Sequence, residues 1–265
     1  MGVIVQSETT INPITLMGKE AGTCWGGNVT HPEKNYARGL DCLKSGHMRT
    51  AEFPQVFLVL DGYSARVIRE LYTHIGGMPT RLQASTRYID YKNFQYIIPP
   101  SISKNAGATL LYTSAMADIQ EALGTLAELG LPKEDIANLL PLGMTTRVVL
   151  RTNLRNLIDM AHQRLCIRAY WEFRMLMNDI IEALAAYSDE WEILIREYNI
   201  FKPKCEVCGF CEEKFTCGRR PRKEEIGKKF IAEVKIDLQD EIKEVLQKID
   251  SEKVRTFLEQ LIDKD

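Results

Sequence analysis

Apolar residues recur at helical spacing through most of this chain, and only a few segments show the continuous or alternating pattern of strands. Val56–Leu60 is a continuous apolar run that ends at Asp61 and Gly62, as in a buried strand that enters a turn. The spacing predicts helices at about 12–25, 35–46, 64–74, 105–129, 133–140 and 153–187. Strands are predicted at 56–60, 81–88, 91–100 and 145–152.

The segment Arg81–Tyr88 carries polar and cationic side chains at alternating positions. In an extended conformation, one face has two cations, an amide and a hydroxyl, which belong to Arg81, Gln83, Ser85 and Arg87. Guanidinium groups bind phosphate oxygens through paired hydrogen bonds, and an amide can read the edge of a base. The pattern therefore favours a phosphate or nucleotide site. The alternative is an edge strand with a solvated polar face.

The long predicted helix after Asn153 carries many charged residues beside an ordinary apolar stripe. Within a few turns it contains Arg155, Asp159, His162, Arg164 and Arg168. Arg164 and Arg168 are four residues apart, so on one helix their like charges repel unless an anion or a carboxylate lies between them. Asp159 could supply part of that neutralisation. The alternative is a solvated charged face.

Composition and charge narrow the class of protein without identifying an activity. The chain of 265 residues is long enough to bury a substantial core, and its net charge of −2 gives no general attraction to nucleic acid or to anionic membranes. It has no apolar run near the ~20 residues that span a bilayer, and its N-terminus lacks a signal pattern. We therefore expect a cytoplasmic protein that binds neither nucleic acid nor membrane, with any anion site confined to a local cluster.

Four of the seven cysteines lie close together near the C-terminus, at Cys205, Cys208, Cys211 and Cys217. Four thiolates match a structural zinc site, although the first three also have the spacing of an iron–sulfur ligand set. Reduced thiols without a metal are the alternative. The composition changes at Pro203, so we expect a Cys-rich metal-binding segment at 201–222 and a helical extension at 223–265, with helices at about 224–249 and 251–262.

Several motifs, taken in their order along the chain, resemble those of the flavin-dependent thymidylate synthases. They are Gly39–His47, Ser85-Thr86-Arg87-Tyr88, Leu140-Pro141-Leu142 before a strand, and Asn153-Leu154-Arg155 leading to Arg164 and Trp171-Glu172. Their order and spacing match over about residues 10–200, and the series as a whole is more specific than any single motif. The resemblance implies a catalytic domain at residues 1–200.

The resemblance also implies a fold, a reaction and a set of partners. The fold would be α+β, with helices packed around a small, mostly antiparallel sheet. The enzyme would reductively methylate dUMP to dTMP, with FAD as bound cofactor, methylene-tetrahydrofolate as one-carbon donor and NADPH as reductant. Members of the family assemble as homotetramers whose sites are shared between chains. We therefore expect a homo-oligomer whose small-molecule partners are dUMP and folate.

Carried over residue by residue, the resemblance implies two sets of ligand contacts. The dUMP set is Gln83, Ala84, Ser85, Thr86, Arg87 and Arg164. Arg164 would be catalytic, because it would contact the uracil ring and favour ionisation at N3. The FAD set is Asn153, Arg155, Asp159 and Arg168, with His74 and Arg81 as substitutes for cations that this chain lacks. The charged helix would then face two phosphorylated ligands.

One three-residue element and two single positions depart from the family pattern. The family's Arg-His-Arg element would fall at Ile75-Gly76-Gly77, Phe53 stands where a His commonly follows Glu52, and Ala137 stands where an Arg often contacts the substrate. These departures leave two alternatives open. One is a related flavin-dependent enzyme that methylates or hydroxymethylates another pyrimidine nucleotide, and the other is a non-catalytic nucleotide-binding homologue.

Overall fold

The computed structural model describes residues 1–228, and its contacts divide the chain into two compact units. The first unit is Met1–Pro203, and the second begins at Lys204. Within residues 1–228, no helix is both long enough and apolar enough to cross a lipid bilayer. The cytoplasmic location and the predicted domain boundaries stay predictions.

The first unit contains a four-stranded sheet with the order β1-β2-β4-β3, in which every neighbouring pair is antiparallel. The strands are β1 (Gly2–Val5), β2 (Gln55–Ser64), β3 (Thr80–Gln83) and β4 (Thr145–Asn153). In the central pair, Leu58 of β2 lies opposite Leu150 of β4. The expected α+β class and small antiparallel sheet are confirmed. The sequence pattern does not predict β1.

The named α-helices of residues 1–228 are α1 (Pro13–Thr23), α2 (Pro32–Lys44), α3 (Ala65–Leu71), α4 (Pro100–Ser103), α5 (Ala106–Glu128), α6 (Lys133–Ile136), α7 (Leu154–Arg164), α8 (Trp171–Ala185), α9 (Asp189–Glu192) and α10 (Lys204–Cys208). Shorter 3₁₀ turns lie at Met48–Glu52 and Ala137–Leu139, and a π-helical turn lies at Ile193–Glu197. The helices predicted at 12–25, 35–46, 64–74, 105–129 and 133–140 each correspond to one or two of these elements.

The core of the first unit lies on one face of the sheet, where α7 and α8 contribute to the same buried cluster. Alternate residues of β2 point into this cluster, so Val56, Leu58 and Leu60 are fully buried. The carboxylate of Glu172 is buried there too. It accepts hydrogen bonds from the backbone N–H and the hydroxyl of Ser64 at 2.6 and 2.5 Å. These bonds tie α8 to the residue at which α3 begins.

The strand predicted at 81–88 ends at Gln83, which corrects the prediction for its second half. The backbone N–H of Ala84 still donates to a carbonyl of β4 at 2.9 Å. Beyond it, the Ser85 hydroxyl accepts a hydrogen bond from the backbone N–H of Arg87 at 3.2 Å. Such a local bond closes a turn in competition with the ladder of a sheet. Ser85 and Arg87 therefore do not continue the polar face of the strand.

The helix predicted at 153–187 is two helices. α7 ends at Arg164, and the turn before α8 contains Arg168. Arg174 Nη1 donates to the carbonyl of Ala169 at 2.9 Å, which satisfies a backbone acceptor in this turn. Arg164 and Arg168 are therefore not neighbours on one helix face, and the predicted repulsion between them does not arise in that form.

The prediction of a strand at 91–100 is wrong. In this segment Tyr96 forms a single bridge, to Met144, and the rest is irregular. Pro99 and Pro100 have no backbone N–H to give to a neighbouring strand, and Pro100 begins α4.

In the second unit, Cys211 lies opposite Arg222 in one parallel bridge, and its N–H donates to the carbonyl of Pro221 at 2.7 Å. Residues 223–228 are helical, at the start of the helix predicted at 224–249. The rest of that helix and the helix predicted at 251–262 lie outside the described residues.

Candidate active site

A cleft of about 390 Å³ lies where β4 runs into α7. It is lined by polar and charged side chains together with two glycines, which are Arg49, Glu52, Gly76, Gly77, Asn153, Arg155, Asn156 and Asp159. Three of the predicted FAD residues, Asn153, Arg155 and Asp159, therefore lie together. The glycines belong to the turn that connects α3 to β3.

Asn153 is the last residue of β4 and the N-cap of α7. Its side-chain carbonyl accepts a hydrogen bond from the backbone N–H of Asn156 at 2.9 Å, as expected of an N-cap residue. The Asn156 amide in turn donates to the hydroxyl of Thr152 at 2.7 Å. The two asparagines are only 7% and 4% exposed. Buried hydrogen bonds therefore fix this wall of the cleft.

The backbone of the Gly76-Gly77 turn lies directly against these asparagines. Gly77 has a φ of +67°, and a Cβ atom added there would lie 2.5 Å from Asn153 Nδ2. At Gly76, an added Cβ would lie 3.0 Å from Asn156 Oδ1. Glycine is the residue that tolerates both the positive φ and the close approach. The turn and the start of α7 thus form one closely packed wall.

Arg155 and Asp159 lie one turn apart on α7, with 3.3 Å between Nε and Oδ2. Their side chains are 42% and 48% exposed, so the pair contributes little stability. Asp159 therefore neutralises part of the positive charge of Arg155. The pair occupies one of the five N–H donors that a guanidinium carries, so Arg155 can still bind an anion.

A second group of side chains is centred on His74. Arg164 Nε donates to His74 Nε2 at 2.9 Å, and Arg164 Nη1 pairs with Glu70 Oε2 at 3.0 Å. The guanidinium carbon of Arg164 also lies 4.6 Å from the centre of the Phe173 ring. Arg164 is therefore held by a neutral acceptor, a carboxylate and an aromatic face.

His74 is 7% exposed, and its burial lowers the pKa of the imidazole to about 4, with smaller contributions from the charges of Arg164 and Arg81. At neutral pH the ring is therefore uncharged and can accept the Arg164 hydrogen bond. Arg81 Nη2 donates to the backbone carbonyl of the same histidine. Two predicted FAD residues, His74 and Arg81, thus contact each other, although neither lines the cleft.

Arg81 is also partly buried. Its guanidinium carbon lies 5.1 Å from the centre of the Tyr72 ring, and burial lowers the pKa of the side chain. Its Nε is buried with no hydrogen-bond partner among residues 1–228. A buried donor without an acceptor is costly, so this position suits a ligand oxygen or another acceptor.

The predicted dUMP residues at 83–87 make their contacts outside the His74 cluster. Arg87 Nε pairs with Glu134 Oε2 at 2.7 Å, and this arginine side chain is 65% exposed. Gln83 donates to the hydroxyl of Thr146 at 3.5 Å. Thr86 lines a small cavity of about 60 Å³ beside α5 and α6. The two predicted dUMP arginines therefore belong to different side-chain clusters, Arg87 with α6 and Arg164 with α3.

Sequence reasoning missed several residues of these clusters. Glu70 lies four residues before His74, a spacing that places both on one side of a helical turn. Asn156 lies three residues after the N-cap, where the cap receives its hydrogen bond. Both signals were present in the sequence, whereas the contribution of Arg49 depends on the tertiary fold. Arg168 is exposed in the turn between α7 and α8 and is not a lining residue of the cleft.

Of the four clustered cysteines, Cys211 is buried and the others are at least partly accessible. Among residues 1–228, no three His, Cys, Asp or Glu side chains are arranged to hold one metal ion. The side chains as placed therefore do not form the predicted four-thiolate site, and metal binding by these cysteines stays a prediction.

The fold and the cleft define an α+β protein with a polar, partly cationic site at the start of a helix. Residues 8–187 match the family described as "Thymidylate synthase complementing protein". The chain is 30% identical over 199 residues to the flavin-dependent thymidylate synthase of Nitratidesulfovibrio vulgaris, which covers 71% of this chain and 78% of that protein. It therefore belongs to the flavin-dependent thymidylate synthase family.

Further comparisons agree with this membership. The flavin-dependent thymidylate synthase of Clostridium tetani is 27% identical over 247 residues, covering 83% of this chain and 94% of that protein. A crystal structure of the Helicobacter pylori enzyme, complexed with FAD and dUMP, has a TM-score of 0.58 and 18% identity. That similarity covers 72% of this chain and 98% of the other, and it supports the fold.

Proposed function

We propose that this protein is an FAD-dependent thymidylate synthase that reductively methylates dUMP to dTMP, with methylene-tetrahydrofolate as one-carbon donor and NADPH as reductant. The observation that carries the proposal is the cleft in which Asn153, Arg155 and Asp159 lie beside Gly76 and Gly77. It is found in a chain of the flavin-dependent family, at the positions where the resemblance places FAD contacts.

The residues of the cleft suit part of a flavin dinucleotide. The volume of about 390 Å³ lies within the usual range for small-molecule sites. The guanidinium of Arg155 can pair with phosphate oxygens, and the closely packed Gly76-Gly77 backbone lets a ligand approach the main chain. When bound, FAD would carry reducing equivalents from NADPH to the nucleotide. The residues of the chain would bind and orient it.

Arg164 suits contact with the uracil ring of dUMP. Methylation at ring C5 needs electron density there, and removing or polarising the N3 proton increases it. A guanidinium against the ring oxygen stabilises the negative charge that develops, and it does so without losing a proton of its own. The Arg164 side chain is 20% exposed, so a ligand can reach its guanidinium.

A homo-oligomer, specifically a tetramer with shared sites, is also part of the proposal. Two large apolar side chains on α5, Leu110 and Leu111, are 72% and 74% exposed. Arg87 and Arg164 lie in separate clusters of one chain. A site built between chains would bring an Arg87 of one copy to an Arg164 of another, and it would cover the exposed face of α5.

The purified protein tests the proposal directly. A yellow protein whose flavin absorbance bleaches with NADPH, and which converts dUMP to a product with the mass of dTMP, supports it. Omission of methylene-tetrahydrofolate should abolish the product without preventing the bleaching. A colourless protein that takes up no FAD on incubation would contradict the proposal and favour a non-catalytic homologue.

A second candidate is a related enzyme that makes another methylated or hydroxymethylated pyrimidine nucleotide. It is favoured by the Gly76-Gly77 turn, which has no cations where the family has its Arg-His-Arg element, and by Phe53 in place of a histidine. Such changes beside the ligands alter selectivity more readily than fold. The mass of the product from dUMP and from other pyrimidine nucleotides separates the two activities.

Zinc bound by Cys205, Cys208, Cys211 and Cys217 is a separate proposal, supported by their spacing and by the preference of zinc for thiolates. Because four thiolates leave no open coordination position, the metal would stabilise the second unit rather than catalyse. Elemental analysis of anaerobically purified protein should find about one zinc per chain. Iron together with sulfide would indicate an iron–sulfur cluster in place of zinc. Absence of any metal would contradict the proposal.

A further inference from the structure

Glu70 is a charged residue of the His74 cluster to which the reaction proposed above assigns no role. It lies in the last turn of α3, four residues before His74. Its side chain is 28% exposed, and that of its partner Arg164 is 20% exposed, with 3.0 Å between them. A partly buried carboxylate this close to a guanidinium makes a charge-assisted hydrogen bond, which is stronger than a neutral one.

The hydrogen bonds of Arg164 are distributed over its guanidinium in a specific way. Nε donates to His74, Nη1 donates to Glu70, and one face of the group lies on Phe173. Because these contacts engage two different nitrogens and a face, the planar group cannot rotate about its bonds without breaking one of them. Three of its five N–H donors are not used by His74 or Glu70 and can serve a ligand.

His74 alone would not fix this arrangement. Its single hydrogen bond engages Nε, and the whole planar guanidinium could still turn about the axis of that bond. The carboxylate of Glu70 supplies the second point of attachment, at Nη1. We propose that Glu70 is a positioning residue that, together with His74, sets the direction in which Arg164 presents its remaining donors to the nucleotide. This inference rests on the proposed function.

An electrostatic role and a positioning role of Glu70 predict opposite effects of its removal on nucleotide binding. Its negative charge offsets the positive charge that an anionic nucleotide would meet at Arg164, so electrostatics alone predicts tighter binding without it. If Glu70 orients the guanidinium, its removal weakens binding, because a small misplacement of a contact group is costly. Nucleotide affinity therefore distinguishes the two roles.

The test compares Glu70→Ala and Glu70→Gln by calorimetric titration of the FAD-loaded protein with dUMP. Glu70→Ala should weaken dUMP binding by about 10-fold to 10²-fold. Glu70→Gln keeps an oxygen that can accept from Nη1, so it should stay within about threefold of wild type. Glu182→Ala, which removes an exposed pair with Arg196 on the same unit, is the matched control for Glu70→Ala and should leave the affinity unchanged.

A double-mutant cycle tests whether Glu70 acts through Arg164. In an Arg164→Lys background, Glu70→Ala should change dUMP affinity by less than about twofold, because the group that it orients is gone. If Glu70→Ala does not fold, Glu70→Asp takes its place, since the shorter carboxylate is drawn back from Nη1 and should also weaken binding. Bound flavin and the thermal midpoint are measured for each variant to identify loss of fold.

Two results would overturn the inference. One is a Glu70→Ala protein that binds dUMP as tightly as wild type or more tightly. The other is a loss of affinity that is equally large in the Arg164→Lys background. A wild-type protein that takes up FAD but binds no dUMP would instead contradict the proposed function, so the two failures are distinguishable.

Discussion

At the scale of single residues, three cations of the predicted ligand sets each have a particular partner. Arg155 pairs with Asp159, Arg87 pairs with Glu134, and Arg164 is shared between a carboxylate and a neutral imidazole. Since the net charge is −2, an anionic ligand would be attracted by such local groups and not by the chain as a whole. When a ligand binds, a paired cation exchanges its protein acceptor for an oxygen of the ligand. This exchange limits the net free energy of ligand binding.

Replacement of Arg87 tests its assignment to dUMP. The pair with Glu134 is exposed and worth at most about 1 kcal/mol, so Arg87→Ala should barely change the free energy of unfolding. If Arg87 clamps the phosphate of dUMP, the same change should weaken dUMP binding by roughly 2 kcal/mol or more. Calorimetric titration and urea unfolding measure the two quantities.

Glu134→Ala is the matched control for Arg87, because it removes the same ion pair but leaves the cation in place. Its dUMP affinity should equal or exceed that of wild type. Equal losses in both variants would mean that the ion pair, and not the arginine, supports binding.

The buried imidazole of His74 predicts a dependence of stability on pH. The folded-state pKa is about 4, below the value of about 6.5 expected in the unfolded chain. Between these values the unfolded state binds a proton that the folded state does not, so the stabilisation is fully present above pH 6.5 and declines as the pH falls towards 4. The loss should be at most roughly 3 kcal/mol. Urea unfolding at pH 4.5, 5.5 and 7 measures it.

His74→Gln serves as the control for the pH experiment. Glutamine can accept the Arg164 hydrogen bond but has no proton to gain in this range. The difference in unfolding free energy between wild type and variant should therefore change with pH. A constant difference from pH 4.5 to 7 would show that His74 does not titrate as expected.

At the scale of secondary-structure elements, the apolar periodicity predicts most helices and the two central strands. It fails where local side-chain bonds compete with regular structure. Periodicity continues through 165–170, yet the chain turns there, and the Ser85 hydroxyl ends the polar strand by binding a nearby backbone N–H. The assignment of Asn153, Arg155 and Asp159 to FAD comes from the family resemblance, and the three residues line one cleft because they lie at the start of one helix. The spacing of Glu70 and His74 is visible in the sequence, but the pairing of Glu70 with Arg164 and the place of Arg49 in the cleft depend on tertiary packing, which periodicity does not encode.

The wall formed by the Gly76-Gly77 turn and the start of α7 predicts a strong effect of Gly77→Ala. Alanine at position 77 would have to adopt a positive φ. Its methyl group would displace the side chain of Asn153, which caps α7. Backbone strain of about 1–2 kcal/mol and loss of a cap worth about 1 kcal/mol should together lower the free energy of unfolding by about 2–3 kcal/mol. Bound flavin should also decrease, which absorbance per chain measures.

Gly130→Ala separates backbone strain from displacement of the Asn153 side chain. Gly130 has a φ of +75°, but an added Cβ would meet no atom within 4 Å. Its variant should lose about 1–2 kcal/mol from the backbone alone and keep its flavin. Equal flavin content in the two variants would contradict a role for the Gly77 turn in the cofactor site.

At the scale of the whole molecule, the proposed shared site would explain both the separate clusters of Arg87 and Arg164 and the exposed face of α5. α5 has 23 residues, of which only Met116 and Leu123 are buried. Single exposed apolar residues are normal on a monomer, but adjacent leucines on a long helix form a larger apolar surface. An assembly that covers α5 would also let a second chain complete the nucleotide site.

Leu111→Glu tests the proposed assembly. Leu111 is 74% exposed in one chain, so in a monomer the change should cost within about 0.5 kcal/mol of unfolding free energy. In an oligomer that covers α5, the buried charge should break the assembly and abolish thymidylate formation together. Sedimentation velocity and product mass are measured on the same sample. Leu129→Glu is the control, because Leu129 is 71% exposed but follows the last residue of α5. A wild-type protein that sediments as a fully active monomer would refute the shared site.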